Sequence, residues 1–193
     1  MCALGPPVQR QCGLGMIEVL VALLVFAVGL TGMAAVQLAA GRHSLESGQR
    51  SFATGLASDI LERMRSNPGA LLHYAGAELG AGEQAFAAAC DRQPCDARRL
   101  AARDLYEWDQ LLRGYPGQLV LAGAARSAGG LVDGRVCIDV EDGLARVAVA
   151  WRGAQRDRSP ADAGCGEGSG LYGPRDRHRR LVLLSSHIGS NPV

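Results

Sequence analysis

Gly13-Leu14-Gly15-Met16-Ile17-Glu18 leads straight into an apolar run from Val19 to Ala40, broken only by the polar side chains of Thr31 and Gln37. About 20 predominantly apolar residues suffice for a helix to cross a hydrocarbon core. The run therefore reads as a membrane anchor. Glu18 stands just inside it, and an acidic side chain costs about 2.5–3.5 kcal/mol at the bilayer centre, less near the interface. A charge kept at that cost marks a functional residue that needs a partner. A cleavable secretory signal would show a shorter apolar region followed by a small-residue cleavage site and a break. Here helix-compatible sequence continues past Arg42 with no Pro until Pro68, which favours an anchor that stays attached.

These residues carry a family resemblance. A Gly followed five residues later by Glu, then an apolar helix, resembles the class III signal of type IV pilins and pseudopilins. Further on, Asp59-Ile60-Leu61-Glu62-Arg63-Met64-Arg65-Ser66-Asn67-Pro68 is similar to a stretch of the minor pilin PilV family, as are Asp104-Leu105 and Trp108. The resemblance implies cleavage by prepilin peptidase between Gly13 and Leu14, on the cytoplasmic side, with N-methylation of the new Leu14 amine. Glu18 then becomes the fifth mature residue and would neutralise the amine of an adjacent subunit. Leu14 stands where most pilins have Phe, a conservative apolar change. Cys2 and Cys12 would leave with the leader.

Physical reasoning supplies a use for Glu18 apart from the family. One cation and one anion per subunit in a low-dielectric helix bundle are each costly alone and tolerable when paired. Pairing between neighbours would fix axial register. The other use of such a Glu is to reach headgroups or water from the interface.

Past the apolar run the pattern changes. Phe52, Leu56, Ile60 and Met64 recur every four residues, with Arg50, Asp59, Glu62, Arg63 and Arg65 elsewhere, which predicts an amphipathic helix with one packing face. Arg63 and Arg65 fall where cations oppose the helix-end carbonyls, and Asn67-Pro68-Gly69 is a stop. Gly41, Gly48 and Gly55 share a face at seven-residue spacing and would admit another helix closely, or else reflect a Gly- and Ala-rich composition. The expected organisation is a leader at 1–13, a transmembrane and assembly helix at 14–40, its amphipathic continuation at 41–67, and a periplasmic head at 68–193.

Within the head, Gly69 to Ala89 reads as a loop with a short helical turn. Ala97 to Leu112 reads as a helix, with Leu100, Leu105, Trp108 and Leu112 near one face. Strand patterns follow at Gln118 to Ala122, Arg135 to Glu141, Ala145 to Trp151 and Arg180 to Ile188. Asp142-Gly143 between the second and third favours a type I′ turn. A long helix on a roughly four-stranded antiparallel sheet is an α+β arrangement, which resembles the pilin fold. Gly153 to His178 reads as a long loop: the pilin resemblance makes it a candidate for the surface by which one subunit meets its neighbours, and the alternative is a solvated loop with no specific partner.

Four cysteines outlast the leader: Cys90, Cys95, Cys137 and Cys165. An even number outside the cytoplasm suggests disulfides, with three possible pairings. Cys90 with Cys95 and Cys137 with Cys165 is the favoured set; chain entropy assigns about 2 kcal/mol to the first loop and about 3.5 to the second. A zinc site fits poorly, because Cys-x4-Cys is wide of the tight spacing and His43, His73, His178 and His187 form no ligand-spaced cluster. No metal and no cofactor are expected.

The formal net charge is +1, and every basic side chain is Arg. Without a basic face, nucleic acid is not expected as a ligand, although Arg175, Arg177, Arg179 and Arg180 form a local run that reads as a solvated strand entrance. Arg10 before the span and Arg42 and Arg50 after it leave orientation ambiguous by charge. No nucleophile elbow, phosphate-binding glycine loop or paired metal-binding histidines are present, so neither an enzyme nor a small-molecule substrate is expected. The resemblance implies a minor pilin of the PilV kind, held in the inner membrane with a periplasmic C-terminal domain and then placed in the pilus at the cell surface. Its partners would be the inner membrane, prepilin peptidase, other minor pilins and the major pilin. A minor pseudopilin of a type II secretion system is the alternative, and an anchored periplasmic binding protein a more distant one.

Overall fold

A computed structural model describes residues 15–82, 84, 90, 94–114, 118–121, 124–127, 129–156 and 164–189. The chain divides into two compact units, Met1–His43 and Ser44–Val193. Helix α1, Met16–Ser66, runs through both. In the first unit its apolar side chains are exposed throughout, Phe26 at 64% and Val36 at 69% among them. It is the one helix among the described residues long and apolar enough to cross a membrane.

The second unit has its own core. α1 contributes Ala53, Leu56, Ala57, Ile60, Leu61 and Met64, all buried. Side chains three and four apart share one helix face, and burying Leu, Ile or Met contributes about 1.5–3 kcal/mol each. Phe52, expected on that face, is instead 38% exposed, and Ala53 takes its place. The true stripe runs 53, 56, 57, 60, 61 and 64, so a strict four-residue repeat from Phe52 drifts off it.

α1 ends at Ser66, where Asn67-Pro68 breaks it, and a 3-10 turn Pro68–Ala70 and helix α2, Leu71–Tyr74, follow. Strand β1 is Glu78–Leu79, and helix α3 is Ala97–Leu112. The Asp96 carboxylate caps α3 by accepting from the Arg99 amide at 2.7 Å. Strands β2, Gln118–Leu121, and β3, Ala124–Ser127, precede β4, Arg135–Glu141, β5, Leu144–Arg152, and β6, Arg179–His187.

The sheet is antiparallel in the order β1-β4-β5-β6, while β2 and β3 form a separate hairpin. The fold class is the expected one, but the fourth strand is not. Gln118–Leu121 pairs with Ala124–Ser127 rather than joining the sheet, and Ala122 lies outside the described residues. The place falls to Glu78–Leu79, in the region read as loop, which pairs with Cys137 and Val136. Two residues are too few to show alternation, whereas any short apolar run resembles a strand.

β4 and β5 turn through Asp142-Gly143, at φ 50° and 75°, with Glu141 opposite Leu144. Both positive values are those of a type I′ turn. A Cβ on Gly143 would lie 2.9 Å from the His187 ring. Along β5, Val147, Val149 and Trp151 join the core with α1 and α3, while Ala148 and Ala150 face a second cluster with Cys165 and Tyr172. Both faces of the strand are therefore covered. Residues 164–178 supply the second cover, so the alternative of a wholly solvated loop does not hold for this part: Cys165 and Tyr172 are buried there. Residues 157–163 of that segment lie outside the described residues.

Candidate functional site

Two places carry the chemistry singled out from the sequence, one in each unit. In the first, Glu18 sits in the opening turn of α1, exposed, with its amide bonded to the Gly15 carbonyl at 2.9 Å. A carboxylate in that turn lies near the positive end of the helix macrodipole. Gly13 and Leu14, the expected cleavage point and methylated residue, lie outside the described residues. From Met16 onwards the flanking side chains are apolar and exposed, so this segment needs lipid or other helices around it.

In the second unit, the Asp59 to Pro68 stretch closes a polar lock between the end of α1, α2 and α3. Arg63 is its centre: Nε lies 3.1 Å from Asp59, and Nη1 lies 3.0 Å from Asp104 and 2.8 Å from Glu107. Its guanidinium also lies over the Trp108 ring, 5.8 Å from the centroid. Trp108 Nε1 donates to Asp59 Oδ2 at 2.8 Å. Asn67 Nδ2 donates to the Tyr74 hydroxyl at 3.1 Å and to the Ala97 carbonyl at 2.8 Å, and Tyr74 in turn donates to Asp104 Oδ2 at 2.7 Å.

Burial shapes the titration of this lock. It would lower the Arg63 guanidinium, but bonds to Glu107 and Asp104 and the Asp59 charge outweigh it and hold the group above its ordinary value. Burial first, and then donation to Asp104, push the Tyr74 phenol up. For Glu107, burial opposes the charge, yet bonds from Arg63 and Arg103 prevail and hold the carboxyl below its usual value. The lock carries fixed charges and no exposed nucleophile. It positions elements.

A second buried carboxylate, Asp109, accepts from the Gly80 amide at 2.9 Å and from Arg113 Nε at 2.7 Å, tying the end of β1 to α3. The sequence reading named Asp104 only within the family resemblance, missed Asp109, and gave neither a buried role, having treated α3 as an apolar stripe. A usable signal existed: both acids lie at helical spacing from Ala101, Trp108 and Leu112, on the face assigned to packing.

The sulfurs of Cys137 and Cys165 are joined, as are those of Cys90 and Cys95. The first of these bonds pins the 164–178 cover to β4. Among the described residues no group of three His, Cys, Asp or Glu is placed to hold a metal ion. The arginine run at 175–180 divides in two. Arg179 is buried and donates to the Cys165 carbonyl at 3.1 Å, and Arg180 meets Glu46 at 2.8 Å, whereas Arg175 and Arg177 are exposed. Arg179 was read as part of a solvated run, but strand alternation turns it inward.

Two family models match the chain, one over each place. Residues 8–34 match the prokaryotic N-terminal methylation motif, and residues 35–106 match the family described as type IV pilin Tt1218. Both segments are similar to type IV pilins. The first match contains Glu18, and the second contains Asp59, Arg63, Asn67, Tyr74 and Asp104 of the lock. No curated protein and no solved structure matches the chain. A class III signal implies processing by prepilin peptidase, association with the membrane and pilus partners, and pilins serve as structural subunits.

Proposed function

We propose that this pilin is a minor pilin of the PilV kind that helps prime pilus assembly through contacts with other minor pilins and the major pilin. Its leader, 1–13, is removed in the inner membrane, Leu14 is methylated, and the helix over 14–40 serves first as a single-pass anchor and then as a packing rod. The continuation at 41–67 carries the periplasmic head, 68–193, which chooses neighbours. The observation that carries this reading is the methylation-motif match with Glu18 in the first turn of an otherwise apolar, exposed helix. Glu18 and a neighbour's Leu14 amine would compensate each other where neither is stable alone. The resemblance of Asp59 to Pro68 to the PilV stretch supports the finer assignment, and the lock built from those residues gives it a physical basis.

The test has two parts. Mass spectrometry of membrane-extracted protein should find a mature start at Leu14 with an added methyl group. A Glu18→Ala variant should enter the membrane at normal levels but fail to co-purify with other pilins. Retention of residues 1–13 in working protein, or normal incorporation of the variant, would overturn the reading. Co-purification with secretion-system components instead of pilus subunits would make it a type II pseudopilin.

A further inference from the structure

Where β5 and β6 meet the loop segments, a cavity of about 300 Å³ is lined by Arg156, Pro174, Arg175, Arg177 and His178. None of the three arginines has an acidic partner among the described residues. All three are exposed and contribute little packing, so the fold itself gives no reason to gather like charges there. They are nevertheless held together. The Gly153 amide donates to the His178 carbonyl at 2.8 Å, the His178 amide donates to the Tyr172 carbonyl at 3.0 Å, and Arg180 Nη2 donates to the Gln155 carbonyl at 3.0 Å.

The backbone at this place is also unusual. Arg175 and Asp176 both have left-handed φ, 55° and 51°, which residues bearing a Cβ rarely adopt. Such conformations persist where surrounding structure fixes them, and they cluster at ligand sites. Here the Asp176 carboxylate, between Arg175 and Arg177 in sequence, accepts from the Gly168 amide at 2.8 Å. What remains is a small concavity with three guanidiniums that have no acidic partner among the described residues. That is the chemistry of a phosphate cradle.

The position narrows the source of the phosphate. Arg180, bonded to Gln155 beside Arg156, also meets Glu46 of α1 at 2.8 Å. Glu46 follows Ala40 by six residues, a length that reaches at most about 22 Å in any conformation. If Ala40 ends the hydrocarbon span, Glu46 stands no further than that length from the headgroup layer. A nucleic acid would call for a longer basic track, on the order of 6–10 phosphate contacts. We propose that Arg156, Arg175 and Arg177 hold the phosphate of an anionic phospholipid headgroup while the subunit waits in the membrane. This rests on the reading of residues 14–40 as a membrane anchor.

The experiment places the full chain in nanodiscs of phosphatidylcholine alone or mixed with phosphatidylglycerol, and counts retained lipids by native mass spectrometry. Wild type should retain phosphatidylglycerol preferentially. The triple variant Arg156→Gln, Arg175→Gln, Arg177→Gln should lose that preference, by about fivefold per guanidinium removed. Arg146→Gln, a control outside the cavity, should keep it. Wild type without lipid discrimination, or a triple variant that keeps the preference, would overturn the proposal while leaving the anchor reading intact. Failure of the chain to enter either disc would overturn the anchor reading and the proposal with it. Inorganic phosphate that binds the chain in detergent and abolishes the lipid preference would assign the cradle to free phosphate. Arginine-dependent binding of a DNA duplex without lipid discrimination would assign it to nucleic acid; both results would overturn the lipid proposal.

Discussion

Tyr74 shows how much of the head depends on single polar atoms. Its hydroxyl accepts from Asn67 and donates to Asp104, and its ring lies 5.8 Å from Trp108. Tyr74→Phe keeps the ring and strands both partners in a buried place, a loss of about 1–3 kcal/mol. Urea unfolding followed by the fluorescence of Trp108 and Trp151, both buried, should show a lower midpoint; an unchanged midpoint would mean that the lock contributes little. Glu107 makes a second prediction. Its carboxyl is held below its ordinary 4.5 in the folded chain, so the unfolded chain binds the proton more readily. Its stabilisation is therefore complete above pH 4.5 and is lost as pH falls through the lower folded value. Acid unfolding curves should steepen in that window, and Glu107→Gln should flatten them, while stability near neutral pH falls with the loss of the bonds to Arg63 and Arg103.

Among the elements, the link between β4 and the 164–178 segment is the most exposed to chemistry. The Cys137–Cys165 bond spans 28 residues and Cys90–Cys95 spans 5. Chain entropy scales with the logarithm of loop length, so removing the first as Cys137→Ser with Cys165→Ser should cost about 3.5 kcal/mol, against about 2 for the second pair. Hydrogen exchange should rise first in residues 164–178, while the α1 and α3 amides around the lock keep their protection. Equal loss in both regions would mean that the cover and the core unfold as one unit. The hairpin at Asp142-Gly143 should survive either change, because its register is set by turn geometry and by β5 pairing with β6 along nine residues.

At the scale of the molecule, the features that were legible share one property: they repeat or they punctuate. The apolar run, the stop at Asn67-Pro68, the 97–112 helix and the alternation in β4 and β5 announce themselves through period or breaker residues. What stayed hidden depends on tertiary partners. Leu79 becomes a fully buried strand residue only because Val136 and α3 are nearby, and Asp104 is acceptable inside only because Arg63 and Tyr74 meet it. Phe52 was misplaced by a small error of phase, and Arg179 by reading a charged run as solvated throughout. In the first unit the position of Glu18 was legible from spacing alone, whereas the register role proposed for it would be played against a second subunit.

Among the described residues, the apolar core of the head contains none earlier than Ala53. On the proposed reading, the head would therefore keep the same core whether the subunit stood in the bilayer or in a fibre.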